Sequence, residues 1–484
     1  MPAVESVLIA NRGEIAVRVI RAAHDLGLRA IAIYSELDRD AVHVDLADEA
    51  WNVGPGPSAE SYLNIRKILE VADASNAESV HPGYGFLAEN PEFATAVIDA
   101  GLIWVGPPPH AIATMGDKIA SRSAAEAAGV PTVPGTMEPL SNVDEAAEFA
   151  KAHGFPIAIK AAHGGGGKGL KVVHSADELD TAFESAQREA DAWFGNPEVY
   201  VERYLENPRH IEAQIILDKH GNAVFVGERD CSIQRRHQKL IEETPAPGFT
   251  KKQRKSLGQM ALAVAQAAGY ENAGTVEFLM DEGGTLYFLE MNTRIQVEHT
   301  ITEEATGIDL VAEQLHVANG EALSFSDAIS RGHVMEFRLN AEDPARGFLP
   351  TPGTISRYRE SAGRGIRVDS GVRQGSAISQ YYDNLIAKLI VSGRDRDEVI
   401  ARGKRALEEF DIGGVDTTIP AHLAILENED FVAGNVSTRL VEGSMDFSHL
   451  ATTTAPALPE ETELQERDIT VEVGGQRYDV RYWS

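Results

Sequence analysis

The stretch TLYFLEMNTRIQVEHT, residues 285–300, governs the reading of the whole chain. Taken with the period-two alternation of a β-strand, it puts Glu290, Asn292, Arg294, Gln296 and Glu298 on one face. Leu289, Met291, Thr293, Ile295 and Val297 fall on the other. A half-buried strand with a solvated outer face alternates in the same way. The preceding segment points further. TVEFLM at 275–280 is a second strand carrying Glu277 among apolar residues, and DEGG at 281–284 is a turn signal. With Gly283 and Gly284 as the turn pair, Glu277 stands opposite Glu290. Facing carboxylates repel, so a hairpin keeps them where a cation lies between. Oxygen donors of this kind suit magnesium, which usually holds a substrate phosphate as well. A slip of one residue in register would undo the pairing. The expectation is a magnesium–nucleotide hairpin, with Arg294 and Glu298 further along the same face serving a second reactant.

Around that hairpin, 484 residues allow two to four domains and a sizeable core. A hydrophobic content of 43% with 24% charged residues is that of a globular enzyme-sized protein. No apolar run approaches the ~18 residues of a membrane span, and MPAVESVLIANRGE lacks the pattern of a signal peptide. Cytoplasm is therefore the expected compartment. Cys231 is the single cysteine, which excludes intrachain disulfides and disfavours a cysteine-based zinc site. With 44 basic against 74 acidic residues, general nucleic-acid binding is disfavoured and local basic clusters stand out.

In chain order, a strand at 7–10, a helix to about residue 26 and a strand at 30–34 make a β-α-β start and hence a parallel sheet. The turn at Asn11–Glu14 lacks G-x-G-x-x-G, so a dinucleotide site is poorly supported. HPGYGFLAEN at 81–90 is a glycine- and proline-broken loop that reads either as a turn or as a wall of a site. Residues 133–205 read as a small separate domain. In it AAHGGGGKG, 161–169, joins two strands, with Lys160 and Lys168 flanking the glycines. Glycine N–H groups there can wrap phosphates and close as a lid. It is not a Walker A motif, because GK[ST] and the following helix are missing. EVYVERYL at 198–205 is a strand leading out, with Glu202 near an expected adenine. DCSIQRRHQKLIEETPAP, 230–247, gathers Arg235, Arg236, His237 and Lys239 and is expected to form an anion site rather than a solvated basic turn. Helices are expected at 251–268, 309–318 and 394–407, and a strand at 333–340 with Glu336 and Arg338 on one face. Residues 451–466 read as a linker. The hairpin at 469–482, around Gly474 and Gly475, reads as the start of a further β domain.

Together these motifs resemble the biotin carboxylase component of biotin-dependent carboxylases, in the ATP-grasp superfamily. The resemblance runs from about residue 7 to 440. It rests on ANRGEIAVRVIRA, HPGYGFLAEN, MGDK, IKAAHGGGGKG, ERYLENPRHIEAQ, ERDCSIQRRHQKLIEETPAP, EMNTRIQVEH, FRLNAEDP and YYDNLIAKLI in that order. The fold it implies is α/β with α+β parts. A Rossmann-like unit would span 1–116, an ATP-grasp region 117–332 with a mobile lid at about 133–205, and a C-terminal biotin carboxylase domain 333–446. A linker at 447–466 and a β domain beginning at 467 would follow.

The activity implied is carboxylation of carrier-bound biotin at the expense of ATP and bicarbonate. By matching position, Lys118, Lys160 and Lys239 would contact phosphate or bicarbonate, with Gly166 and Gly167 in the lid. Glu202, Leu205, His210, Gln234 and His237 would hold adenine and ribose, and Glu277, Glu290 and Asn292 magnesium or manganese. Arg294, Gln296 and Val297 would cradle bicarbonate and Glu298 would be the general base. Arg338 would steady deprotonated biotin, with Tyr84 beside its ring. Two departures stand out. Thr300 follows His299 where many relatives have proline, and no Met-Lys-Met biotinylation site occurs. The carrier is then a separate protein or lies beyond Ser484, as in fused α-subunits of acyl-CoA carboxylases. A carboxyltransferase partner and a homodimer are also implied. Acetyl- or propionyl-CoA is the expected acceptor, with pyruvate, urea and other acyl-CoAs as alternatives. An ATP-grasp ligase acting on an amine and an inactive nucleotide-binding scaffold are the rival readings.

Overall fold

The computed structural model describes residues 4–136, 138–161, 170–194, 196–450, 466–473 and 476–483. Gly166, Gly167 and Lys168 of the expected lid loop lie outside the described residues, as does most of the expected linker.

The first sheet is parallel. Its strands are β1 (Ser6–Ile9), β2 (Arg29–Ser35), β3 (Glu49–Gly54), β4 (Ser79–His81) and β5 (Ile103–Trp104), in the order β3-β2-β1-β4-β5. Helix α1 (Gly13–Asp25) crosses from β1 to β2 as the sequence predicts, burying Ile15, Ala16, Val19, Ile20 and Ala23. A second, three-stranded sheet of β6 (Ile157–Ala161), β7 (Leu170–Val173) and β8 (Val199–Arg203) is antiparallel, with β6 central.

The largest sheet carries the site. It contains β9 (Arg209–Leu217), β10 (Ala223–Arg235), β11 (Gln238–Thr244), β12 (Asn272–Met280), β13 (Leu286–Asn292), β14 (His333–Asn340) and the strands Leu385–Gly393 and Ile366–Ser370. Their order is β13-β12-β9-β10-β11-β14, then Leu385–Gly393, then Ile366–Ser370. Ile211, Ala213, Ile215, Val276 and Phe278 on one face bury against Leu257, Ala261 and Val264 of the helix Lys251–Ala267. Ile216, Val224, Val226 and Ala273 on the opposite face join Val19 and Ile20 of α1 in a common core. At the far end Phe337, Leu339, Leu389 and Val391 pack with Val399, Ala406 and Ile425 from C-terminal helices. Apolar burial of this kind, at ~25 cal/mol per Å², fixes the sheet on both sides. The fold is mixed α/β, a parallel N-terminal sheet with antiparallel sheets after it. Glu466–Val473 and Gln476–Trp483 pair as the expected hairpin.

Two local expectations are corrected. Residues 285–300 are not one strand: β13 ends at Asn292, 293–298 are bends and a turn, and His299–Thr306 is a helix. The sequence hides that helix because its polar residues continue the period-two pattern. It forms because Ile301 and Ala305 bury against Val334 and Ile390. The hairpin turn is also not a Gly283-Gly284 pair. Thr285 O accepts from Asp281 N at 3.0 Å and Asp281 O from Gly284 N at 2.9 Å, with Gly284 at φ +82. An irregularity between Glu277 and Phe278 in the ladder then restores the pairing of Glu277 with Glu290. Residues 230–247, expected to hold an anion site, are largely strand, β10 and β11, turning at Arg236 and His237 in left-handed conformation. Their basic side chains therefore diverge: Lys239 turns inward, His237 is exposed, and Arg235 lies over the Phe348 ring at 4.9 Å.

Candidate active site

The site lies on one face of the large sheet, where β9, β11, β12 and β14 present acids and bases at matching heights. Ladder register explains why. Glu277 sits opposite Glu212 on β9 and Glu290 on β13. Glu242 on β11 sits opposite Glu336 on β14, two residues before Arg338. Side chains two apart share a face.

Glu298 is at the centre, on the loop that leads into the helix His299–Thr306. Its Oε1 accepts from Lys239 Nζ at 2.6 Å and its Oε2 from Arg338 Nη2 at 2.8 Å. Burial alone would raise this carboxyl, but Lys239, Arg338 and Arg229 outweigh it and hold Glu298 well below the usual carboxylate range. Lys239 also donates to Glu277 Oε1 at 3.1 Å and to Glu212. Against the effect of burial, these three acids keep the ammonium well above its ordinary value. Arg338 Nε donates to Glu242 Oε1 at 2.6 Å. Burial pushes Glu242 up to about 7 even though Arg338 pulls the other way.

A second group surrounds Glu277. Its Oε1 accepts from Asn292 Nδ2 at 2.8 Å and Gln296 Nε2 at 2.7 Å, and His210 Nε2 lies 2.9 Å from its Oε2. Burial opposes ionisation of Glu277, but Lys239 and His210 bring it well below the ordinary range. Glu290, across the ladder, is raised, first by desolvation and then by the charge of Glu277. Glu277, Glu290 and Asn292, on the paired strands β12 and β13, offer oxygen donors of the kind that fit the hard-oxygen preference of a magnesium or manganese ion. Arg294 Nε donates to Glu89 Oε2 and its Nη2 to Asn292 Oδ1, each at 2.9 Å. Gln296 Oε1 accepts from Arg229 Nη2 at 2.6 Å.

The other residues named from sequence are more spread. Lys160 pairs with Glu202 across β6 and β8. Leu205 follows β8, Gln234 is buried on β10, and Lys118 is exposed at the start of the helix Lys118–Ala127, whose cap is Asp117. Tyr84 is half-buried, its carbonyl accepting from Asn11 Nδ2 at 2.7 Å. Val297 offers its carbonyl to Lys388 Nζ at 3.0 Å.

Sequence reading missed five partners in this circuit: Glu89, Glu212, Arg229, Glu242 and Lys388. Arg229 is fully buried and donates to Glu212, Gln214, Thr275, Gln296 and Thr302. All five lie inside segments that already stood out, but only tertiary pairing brings each to the site.

Buried carboxylates, lysine and arginine gathered on one sheet face, beside a three-stranded antiparallel unit, suit an ATP-grasp ligase. Comparison with known proteins narrows this. Residues 3–112 match the family described as biotin carboxylase, N-terminal domain. Residues 117–326 match carbamoyl-phosphate synthase L chain, ATP binding domain, and 336–443 match biotin carboxylase C-terminal domain. The chain is 52% identical over 482 residues to the biotin-dependent acyl-coenzyme A carboxylase alpha3 subunit of Mycobacterium leprae, covering 99% of this chain and 81% of that one. It is 52% identical over 438 residues to a pyruvate carboxylase subunit of Methanothermobacter thermautotrophicus, covering 90% and 89%. Among solved structures, the biotin carboxylase domain dimer of Hydrogenobacter thermophilus 2-oxoglutarate carboxylase, in complex with MgADP, ADP and bicarbonate, superposes with TM-score 0.84 at 46% identity, covering 91% and 98%. The chain belongs to the biotin carboxylase family. Among the described residues no helix is long and apolar enough to cross a membrane.

Proposed function

We propose that this chain carboxylates biotin on a carrier, using ATP and bicarbonate, as the first half-reaction of an acetyl- or propionyl-CoA carboxylase. The observation that carries the chemistry is the Glu298 carboxylate held between Lys239 and Arg338. Glu298 is ionised and positioned to take a proton, and its two partners are the cations an incoming anion would attract. As bicarbonate draws on Lys239 and Arg294, Glu298 loses part of its own neutralisation and becomes a stronger base. A bicarbonate oxygen then attacks the γ-phosphorus of ATP, Glu298 accepts the bicarbonate proton, and ADP leaves, giving carboxyphosphate. The metal held by Glu277, Glu290 and Asn292 would neutralise phosphate charge. Gln296 and the Val297 backbone complete the bicarbonate cradle.

Carboxyphosphate breaks to carbon dioxide and phosphate. Phosphate takes the ureido N–H proton of biotin, the resulting anion attacks carbon dioxide, and Arg338 stabilises the charge on the ureido oxygen. Tyr84 flanks the ring. Lys118, Lys160, Gly166 and Gly167 serve the phosphates. Glu202, Leu205, His210, Gln234 and His237 serve adenine and ribose. The three units from sequence, with a lid at 133–205, provide closure over the reactive intermediate.

Similarity to the mycobacterial acyl-CoA carboxylase chain extends over 482 residues, past the stretch shared with the pyruvate carboxylase chain, which spans 438. That extent favours an acyl-CoA as final acceptor, with a biotin carrier and a carboxyltransferase as partners. Assembly as a homodimer in the cytoplasm completes the proposal. The test is ATP hydrolysis with and without bicarbonate and free biotin. Dependence on both is expected; stimulation by an amine instead would indicate a different ligase, and no turnover a scaffold. Carboxylation assays with acetyl-CoA, propionyl-CoA and pyruvate in the presence of the carboxyltransferase identify the acceptor.

A further inference from the structure

Lys388 is a fully buried lysine at the middle of the strand Leu385–Gly393. The ladder sets it opposite Arg338 on one side and Asp369 on the other. A lysine taken wholly out of water is costly unless its charge and its N–H groups are met. Here the ammonium lies 3.1 Å from Glu14 Oε2 and donates to Val297 O at 3.0 Å. It also lies 6.0 Å from the centre of the Tyr84 ring. Glu14 is equally buried, in the first turn of α1. One side chain therefore joins Glu14 of the N-terminal unit to the loop that carries Glu298, and lies near the ring of Tyr84.

The contact with Val297 has a mechanical consequence. The Val297–Glu298 peptide is planar and stiff, so a clamp on its oxygen fixes the direction of the Glu298 amide and the starting point of its side chain. The loop 293–298 has no ladder of its own to do this. Lys239 and Arg338 hold the carboxylate end of Glu298 but are also the cations that bicarbonate and the biotin anion must draw upon. A support outside that exchange keeps the residue in place while they are engaged.

We propose that Lys388, anchored by Glu14, is a positioning residue for Glu298: it clamps the Val297 carbonyl and so holds the base in register with Tyr84 and Arg338. This rests on reading Glu298 as the base. A merely structural ion pair would affect stability and leave the kinetic constants of the folded protein alone.

The test compares wild type with Lys388→Arg and with the double variant Lys388→Met, Glu14→Gln, which removes both charges and so avoids an unpaired one. In the double variant kcat for bicarbonate-dependent ATP cleavage should fall about 10- to 100-fold, the scale of a small misplacement of a reacting group. KM for ATP should stay within about twofold of wild type, since a change confined to the chemical step alters kcat alone. Lys388→Arg, which keeps charge and a donor, should lie between. A folded double variant with wild-type kcat overturns the inference, as does a parallel loss of nucleotide affinity. If the double variant does not fold by circular dichroism, Lys388→Arg decides: a wild-type kcat there overturns it. A wild type whose ATP cleavage ignores bicarbonate overturns the functional reading and this inference with it. A bicarbonate-dependent wild type with an unimpaired variant overturns this inference alone.

Discussion

Arg338 Nη2 reaches Glu298 Oε2 at 2.8 Å, so the group proposed to steady the biotin anion is bound directly to the group proposed to deprotonate bicarbonate. The two half-steps share one ion pair, and variants on either side of it should separate them.

Glu298→Gln keeps the shape and can still accept from Lys239, but it removes the base. Bicarbonate-dependent ATP hydrolysis should drop by at least ~10²-fold, the usual contribution of a positioned acid or base. Nucleotide binding, followed by calorimetry with ADP, should persist. Normal turnover in this variant would remove Glu298 from the mechanism.

Arg338→Met should slow carboxylation of free biotin far more than ATP cleavage, so that phosphate release outruns carboxybiotin formation. Glu242, already raised to about 7 by burial, would take up a proton when Arg338 is gone, so the fold should survive near neutral pH. Equal losses in both assays would contradict the assignment.

Glu290→Gln removes the carboxylate charge that faces Glu277 and keeps the side chain's size, so no cavity opens. The magnesium concentration for half-maximal activity should rise by about tenfold or more, the effect of losing one charged ligand worth about 1.4 kcal/mol. A titration curve that coincides with wild type would place the metal elsewhere.

His422 Nε2–H donates to Arg338 O at 2.8 Å, and burial brings the imidazole from 6.5 down to about 4. The folded chain therefore refuses a proton that the unfolded chain accepts between these values. Its contribution is complete above pH 6.5 and is lost as pH falls toward 4. His422→Gln keeps the donor without titrating. Urea midpoints at pH 7.5 and pH 5 should show the stability gap between the two proteins moving in favour of the variant by about 2 kcal/mol at the lower pH. A gap that stays constant would mean that His422 titrates normally.

What the sequence revealed and what it hid divide along physical lines. Glu277 opposite Glu290 was legible because a hairpin is local and its repulsive pair is a strong signal. The route to that register was not, since the turn and the ladder irregularity compensate each other. The α1 crossover was legible from its apolar spacing. The helix His299–Thr306 was hidden because Glu298, at its start, continues the alternation of the strand before it. Glu212, Glu242 and Arg229 looked like ordinary strand residues. Their role depends on which strands lie side by side, and β9 meeting both β10 and β12 is a property of the assembled sheet.

The interlocked charges of Lys239, Arg338 and Glu298 also bear on selectivity. Without reactants, each cation is already occupied by an internal acid, so a lone chloride or sulfate gains little by entering and must displace a carboxylate to do so. If Glu277 served a divalent ion brought in with the nucleotide, its hold on Lys239 would weaken. On the proposed reading, bicarbonate should accordingly bind productively only after the metal-nucleotide.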